Sequence, residues 1–405
     1  MIGLGAERLK RGIRDVVARW QLPRDVRREA RRDAMGLPAG DPGIDAVVDA
    51  GIAWLATAQD RSASNDGGVA RHYSPLSGWA PSYPETTGYI VPTMLSYAAL
   101  RPDSPARSRA QRMLDWLVSI QLEDGAFQAG IITTRPRVAC SFNTGQILLG
   151  LARGTAELGD AYRGAMVRAA EWMVAAQDPD GCWRRFPSPM VVPGEKSYDT
   201  HAAWGLLEAA RVAPGARYDE AAMANLRWAL TRQRPNGWME NCCLTQASEP
   251  LTHTLGYALR GLLEGYRYCG EAQLLAAARR TADGLLCALG PDGFLPGRLD
   301  AQWRGTVPWA CLTGSVQVSQ CWLMLYEELG ERRYLEAAAA VNRYVRRTVR
   351  LDAPEETRGA VKGSFPFDGS YGRYQYPNWA VKFCVDSQLL ERTIRGEEAG
   401  RRSPR

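Results

Sequence analysis

Apolar positions along the chain fall into helical blocks of two alternating kinds, one polar along a single face and the other apolar nearly all round. The first kind, typified by residues 107–121, belongs on an outer wall. The second kind spans 90–100, 145–156, 202–213, 255–266, 315–328 and 379–390, and its uniform apolarity places it inside. No β-branched runs of strand length alternate with these blocks, so a parallel α/β sheet is not encoded.

The blocks also repeat. A bulky residue recurs in Ala53-Trp54-Leu55, Asp115-Trp116-Leu117, Glu171-Trp172-Met173, Arg227-Trp228-Ala229, Gly284-Leu285-Leu286 and Arg343-Tyr344-Val345, at intervals of 62, 56, 56, 57 and 59 positions. After it come turns such as Gln121-Leu-Glu-Asp-Gly125, Gln177-Asp-Pro-Asp-Gly181, Gln233-Arg-Pro-Asn-Gly237 and Gly290-Pro-Asp-Gly293. Asp-Gly and Asn-Gly supply the positive φ that a helix-ending turn requires. An open array of six helix pairs would expose two apolar ends, whereas ring closure buries both. The expected fold is all-α, a closed (α/α)6 double-ring toroid of six helical hairpins over 45–395. A basic helical extension at 1–44 precedes it and a disordered tail at 396–405 follows.

Composition adds bounds. A hydrophobic content of 45% with 13 Trp is ample for a large core. The nine Cys are odd in number, scattered and without CxxC spacing, which reads as small buried hydrophobes in a reducing compartment. Neither a disulfide nor a metal nor a cofactor is expected. No cleavable leader pattern and no apolar run of about 18 residues occurs, so a cytoplasmic protein is expected. The net charge of +6 is too mild to argue for nucleic acid. Residues 7–33 do concentrate Arg, in the pattern of a solvated leading helix or of weak contact with an anionic lipid surface.

The run Gln177-Asp-Pro-Asp-Gly-Cys-Trp183, with weaker copies elsewhere, resembles the Gln-Trp repeat of the terpenoid cyclase and protein prenyltransferase toroids across roughly 45–395. That resemblance implies the double ring, which also carries glycosidases, polysaccharide lyases and uronyl epimerases. Tyr83-Pro-Glu-Thr-Thr-Gly-Tyr89, Lys362-Gly-Ser-Phe-Pro and Tyr376-Pro-Asn-Trp379 are similar to toroids of surface-polysaccharide gene clusters. The cyclase motifs Asp-x-Asp-Asp and Asp-Asp-x-x-Asp are absent, Asp178-Pro-Asp180 belongs to a repeat turn, and the prenyltransferase zinc set is not recognisable.

In a double ring the inner helices run parallel, so their N-termini share one face. Their starts align as Glu85-Thr-Thr-Gly88, Phe142-Asn-Thr-Gly145, Tyr198-Asp-Thr-His201, Leu251-Thr-His-Thr254, Leu312-Thr-Gly-Ser315 and Tyr376-Pro-Asn-Trp379. Thr, Asn and Asp are expected there as helix caps. Caps explain neither Glu85 nor His201 nor His253, and neutral imidazole is a natural proton carrier. The candidate catalytic residues are therefore Tyr83, Glu85, Asp199, His201 and His253. Cations and aromatics of the same loops supply candidate substrate-binding residues: Arg71, His72, Trp79, Arg135, Trp183, Arg304, Trp309, Lys362, Arg373 and Tyr376. Arg pairs with carboxylates through two parallel hydrogen bonds, and sugars stack on aromatic faces.

This pattern points to an enzyme of polysaccharide metabolism acting on an anionic, uronate-type oligo- or polysaccharide by acid/base chemistry. Hydrolysis would use Glu85 and Asp199; in elimination or C5 epimerisation, Tyr and His would exchange a proton at the sugar carbon next to the carboxylate. Two alternatives stay open: a terpenoid cyclase or prenyl-transferring enzyme without the usual Asp-rich motifs, and a non-catalytic glycan-binding scaffold.

Overall fold

The computed structural model describes residues 22–402. The first part of the basic extension and the last three residues of the expected tail lie outside that range. A short helix, α1 (Arg24–Ala34), precedes six outer and six inner helices. The outer ones are α2 (Ile44–Asp60), α4 (Ala106–Ile120), α6 (Arg163–Ala176), α8 (Tyr218–Leu230), α10 (Ala272–Cys287) and α12 (Arg332–Thr348). The inner ones are α3 (Pro84–Leu100), α5 (Ser141–Leu158), α7 (Thr200–Val212), α9 (Thr252–Cys269), α11 (Leu312–Leu329) and α13 (Asn378–Arg402). The fold is mostly helical, and every predicted inner block falls within or nearly within an observed inner helix.

Successive inner helices pack side by side from α3 to α13, and α13 in turn touches α3. Each inner helix packs on the outer helix that follows it, α3 on α4 through α11 on α12, while α13 packs on α2 from the opposite end of the chain. The packed pairs are therefore displaced by one helix from the outer-then-inner units of the sequence repeat. Connection length is the reason. A short turn such as 101–105 leads from an inner helix to the next outer one, whereas the outer-to-inner connection 61–83 is long enough to cross the mouth.

Small residues set how closely the inner helices approach. A Cβ on Gly205 of α7 would lie 2.0 Å from the Gly145 carbonyl oxygen of α5, and one on Gly150 would lie 2.2 Å from that of Gly88. Replacing Gly205 by Ala therefore drives two backbones apart and should cost about 2–3 kcal/mol, read as a lower urea midpoint; an unchanged midpoint would contradict this packing.

A glutamine just past three of the outer helices ties one repeat to the next. Gln121 Nε2 donates to the Gly125 and Ala165 carbonyls, and Gln177 Nε2 to those of Gly181 and Ala221. Gln233 Nε2 repeats the pattern toward Ala277 O and Thr281 Oγ1. The turn glycine completes the joint: Gly237 has φ +84° and its absent Cβ leaves room for the Arg280 carbonyl.

Short strands brace the mouth. β1 (His72–Ser74) pairs antiparallel with β2 (Gly78–Trp79) and with β5 (Tyr376–Pro377), and β3 (Ala310–Cys311) pairs with β4 (Ser364–Phe365). Helix α1 buries Val26, Glu29 and Asp33. The chain from 396 to 402, expected as disordered tail, continues α13 as helix. All nine cysteines are free thiols, and no helix among the described residues is long and apolar enough to cross a membrane.

Candidate active site

A cavity of about 290 Å³ lies where the inner helices begin. Its walls come from residues distant in sequence: Glu85 and Tyr89 of α3, Phe142 and Asn143 of α5, Asp199 of the 3-10 turn before α7, His253 and Tyr257 of α9, and Trp379 of α13. The same 3-10 turn adds Tyr198, and loops add Arg71, Tyr83, Trp183, Lys196 and Tyr371.

Helical register selects which residues face inward. Glu85, Phe142, Tyr198 and His253 each lie two residues past the one preceding their helical segment, which is Tyr83, Cys140, Lys196 and Leu251 in turn. His201 holds another register, that of Gly88 and Gly145, where a Cβ points at a neighbouring inner helix. Accordingly His201 is buried between helices, its Nδ1 2.7 Å from Gln146 Oε1, and it does not line the cavity. His201, expected as a catalytic residue beside His253, is thereby excluded from the cavity, because the two are nearly one helical turn out of step. Tyr257 separates them, with ring centroids 4.5 Å from His201 and 4.4 Å from His253.

The threonines at the helix starts do not cap. Thr87 Oγ1 donates to Tyr83 O and accepts from Val69 N, and Thr144 Oγ1 donates to Cys140 O and accepts from Phe127 N. Each hydroxyl thus stitches a mouth loop onto its helix, which holds the adjacent cavity residue in place.

Burial sets the electrostatics. Glu85 is pushed up from 4.5 to about 7 by loss of water, although the Tyr83 hydroxyl donates to its Oε2 at 2.6 Å and the Arg71 charge favours the carboxylate. Asp199 is pushed up from 3.8 to about 8, also by burial, against a smaller pull from Lys196. His253 falls to about 4 by burial and is neutral at pH 7. Its Nδ1 lies 2.7 Å from Gln317 Oε1. With the proton on Nδ1, donated to that oxygen, Nε2 keeps its lone pair.

Two cations complete the wall. The Arg71 guanidinium lies 5.1 Å from the Trp379 ring centroid and 5.8 Å from that of Tyr83, and bonds His72 Nδ1 at 3.1 Å. Among the described residues, no carboxylate forms an ion pair with Arg71 or with the buried Lys196.

Of the predicted residues, Tyr83, Glu85, Asp199, His253, Arg71 and Trp183 meet in this cavity, and His72 and Trp79 line an adjoining one with Arg71. The other expected wall residues lie elsewhere, each held by a nearer partner. Arg135 turns back on the Ile132 and Thr134 carbonyls, Arg304 pairs with Asp300, and Arg373 stacks on Tyr374. Lys362 is buried against Glu29 and Asp33 of α1. Trp309 packs with Leu251 and Cys311, and Tyr376 packs on Phe367 and Tyr73. Sequence reasoning missed Tyr89 and Tyr257 as cavity residues. Their signal was the i, i+4 spacing from Glu85 and His253, which puts them on the same helix faces. No group of three or more His, Cys, Asp or Glu among the described residues is arranged to hold a metal ion.

No family model matches the chain, and no curated protein matches its sequence. Solved structures do match. An unsaturated glucuronyl hydrolase specific for heparin superposes with a TM-score of 0.70 at 14% identity, covering 88% of this chain and 99% of its own. A D-mannose isomerase gives 0.70 at 10% identity over 87% and 97% of the two chains. The cellobiose 2-epimerase of Bacillus thermoamylovorans B4167 gives 0.66 at 11% over 90% and 98%. These similarities establish a shared α/α toroid fold and nothing finer.

Proposed function

We propose that the chain is a closed (α/α)6 double ring that hydrolyses a uronate-bearing oligosaccharide at this cavity. The supporting observation is one cavity holding two buried carboxylates of unequal acidity beside two cations that form no ion pair among the described residues. Asp199 gives its proton to the glycosidic oxygen as the anomeric C–O bond breaks. Glu85, with Arg71 and Tyr83 favouring its ionised form, takes a proton from the water whose oxygen bonds to the anomeric carbon. Arg71 and Lys196 receive the sugar carboxylate. Proteins named for action on a glucuronyl group, on mannose and on cellobiose share the fold, which fits a saccharide substrate.

The pH dependence follows from the assignment. Activity rises as Glu85 loses its proton near pH 7 and falls as Asp199 loses its own near pH 8, so kcat/KM traces a narrow bell between the two. A single limb without a fall on the alkaline side would remove Asp199 as the acid.

A second reading rests on His253. A neutral base beside Tyr257 and Tyr371 suits removal of the proton next to a sugar carboxylate, which gives elimination or epimerisation. One experiment decides. Uronate oligosaccharides incubated with the enzyme in deuterated water yield new reducing ends on hydrolysis, a conjugated ultraviolet chromophore on elimination, and deuterium at C5 on epimerisation. None of the three from a panel of uronate substrates would overturn the enzymatic reading.

A further inference from the structure

A second cavity, of about 470 Å³, adjoins the first and shares Arg71 and Met190 with it. Its other walls include His72 and Trp79 on β1 and β2, and Ile131 and Thr134 from the turn before α5. We propose that it is a subsite for the sugar units beyond the bond that reacts, so that the substrate is a chain of three or more units with its uronate in the first cavity. This extension rests on the functional reading above.

Three observations carry it. The first is adjacency: Arg71 and Met190 border both cavities, so sugar units next to the uronate site lie beside the second one. The second is the aromatic platform. Trp79 is partly buried yet lines open space, and it is braced from behind by Trp54 at 5.4 Å and Tyr73 at 5.1 Å between ring centroids. A rigid, partly uncovered indole is a stacking surface for a pyranose ring.

The third is the imidazole. Arg71 donates to His72 Nδ1 at 3.1 Å, which makes that nitrogen the acceptor and puts the ring proton on Nε2. Burial and the Arg71 charge hold His72 down at about 4, so it stays neutral at working pH. It therefore offers a donor to a sugar hydroxyl without adding a charge. With Thr134 lining the same space and, among the described residues, no cation there beyond the shared Arg71, the second cavity suits neutral, hydroxyl-rich sugars.

The test is calorimetric binding of an unsaturated glucuronyl disaccharide and of the corresponding tetrasaccharide, both measured on the Asp199→Asn enzyme so that neither is consumed. The tetrasaccharide should bind about tenfold more tightly, the sum of one stacking contact and one or two hydrogen bonds. Adding Trp79→Ala should reduce that length advantage to about twofold, and Trp79→Phe should restore most of it. Because Trp79 also packs on Trp54, His72→Ala serves as a second variant that leaves the platform standing, and it should lower the advantage by about threefold. Equal affinity for the two lengths, or an advantage that survives both Trp79→Ala and His72→Ala, overturns the subsite while leaving the uronate site intact. No binding of either saccharide overturns the uronate reading and the subsite with it.

Discussion

Asp199→Asn should lower kcat by about 10²–10⁴-fold, the scale for losing a general acid, and should raise the melting temperature near pH 8. The two effects have one cause. Asp199 binds its proton more tightly in the folded chain, about 8, than at its ordinary value of 3.8. Stability that depends on this group is intact below that ordinary value and is lost progressively as pH rises through about 8, the reverse of the usual salt-bridged carboxylate. An amide of the same shape never ionises, so the variant escapes the loss. At pH 4 the wild type and the variant should melt within about a degree of each other. Melting curves at the two pH values, alongside single-turnover rates, check both halves. A variant that loses activity and stability together would mean that Asp199 supports the fold and not the reaction.

Arg71→Ala should raise KM for a uronate substrate by about 10- to 100-fold, the range of one or two hydrogen bonds to a charged group. Arg71 borders both cavities and its guanidinium lies over Trp379, and no carboxylate among the described residues forms an ion pair with it. The same charge favours the ionised form of Glu85, so its removal should also move the acid limb of the pH profile upward from about 7. Arg71→Lys keeps the charge and should retain that limb while recovering only part of the affinity. Steady-state kinetics across pH measure both quantities. An unchanged KM with an unchanged limb would place the substrate carboxylate elsewhere, with Lys196 the remaining cation of the wall.

Much of the architecture was legible because local physics repeats. Uniform apolarity marked the inner helices, and the Gln turns marked the joints, where each of these Gln amides donates to a carbonyl of the next outer helix. Pairing was not legible. The sequence repeat reads outer helix then inner helix, yet the packed neighbour of α3 is α4, and α13 finds its partner α2 at the far end of the chain. Contact is decided by which connection is short, and composition alone does not reveal the path of a long loop.

The site divides the same way. Sequence alone determined that polar and titratable residues collect at the starts of the inner helices, because Glu85, His201 and His253 exceed what helix ends require. It also supplied the cations and aromatics of the mouth. Only the tertiary structure decided which of them meet. An offset of three residues turns His201 toward Gln146 while His253 faces the cavity, since a helix rotates by about 100° per residue. Lys362 and Arg304 paired with carboxylates and Arg135 with neighbouring carbonyls, whereas Arg71 forms no ion pair among the described residues. The raised pKa values of Glu85 and Asp199 likewise belong to the assembled ring, because desolvation comes from helices that meet only when the chain has folded.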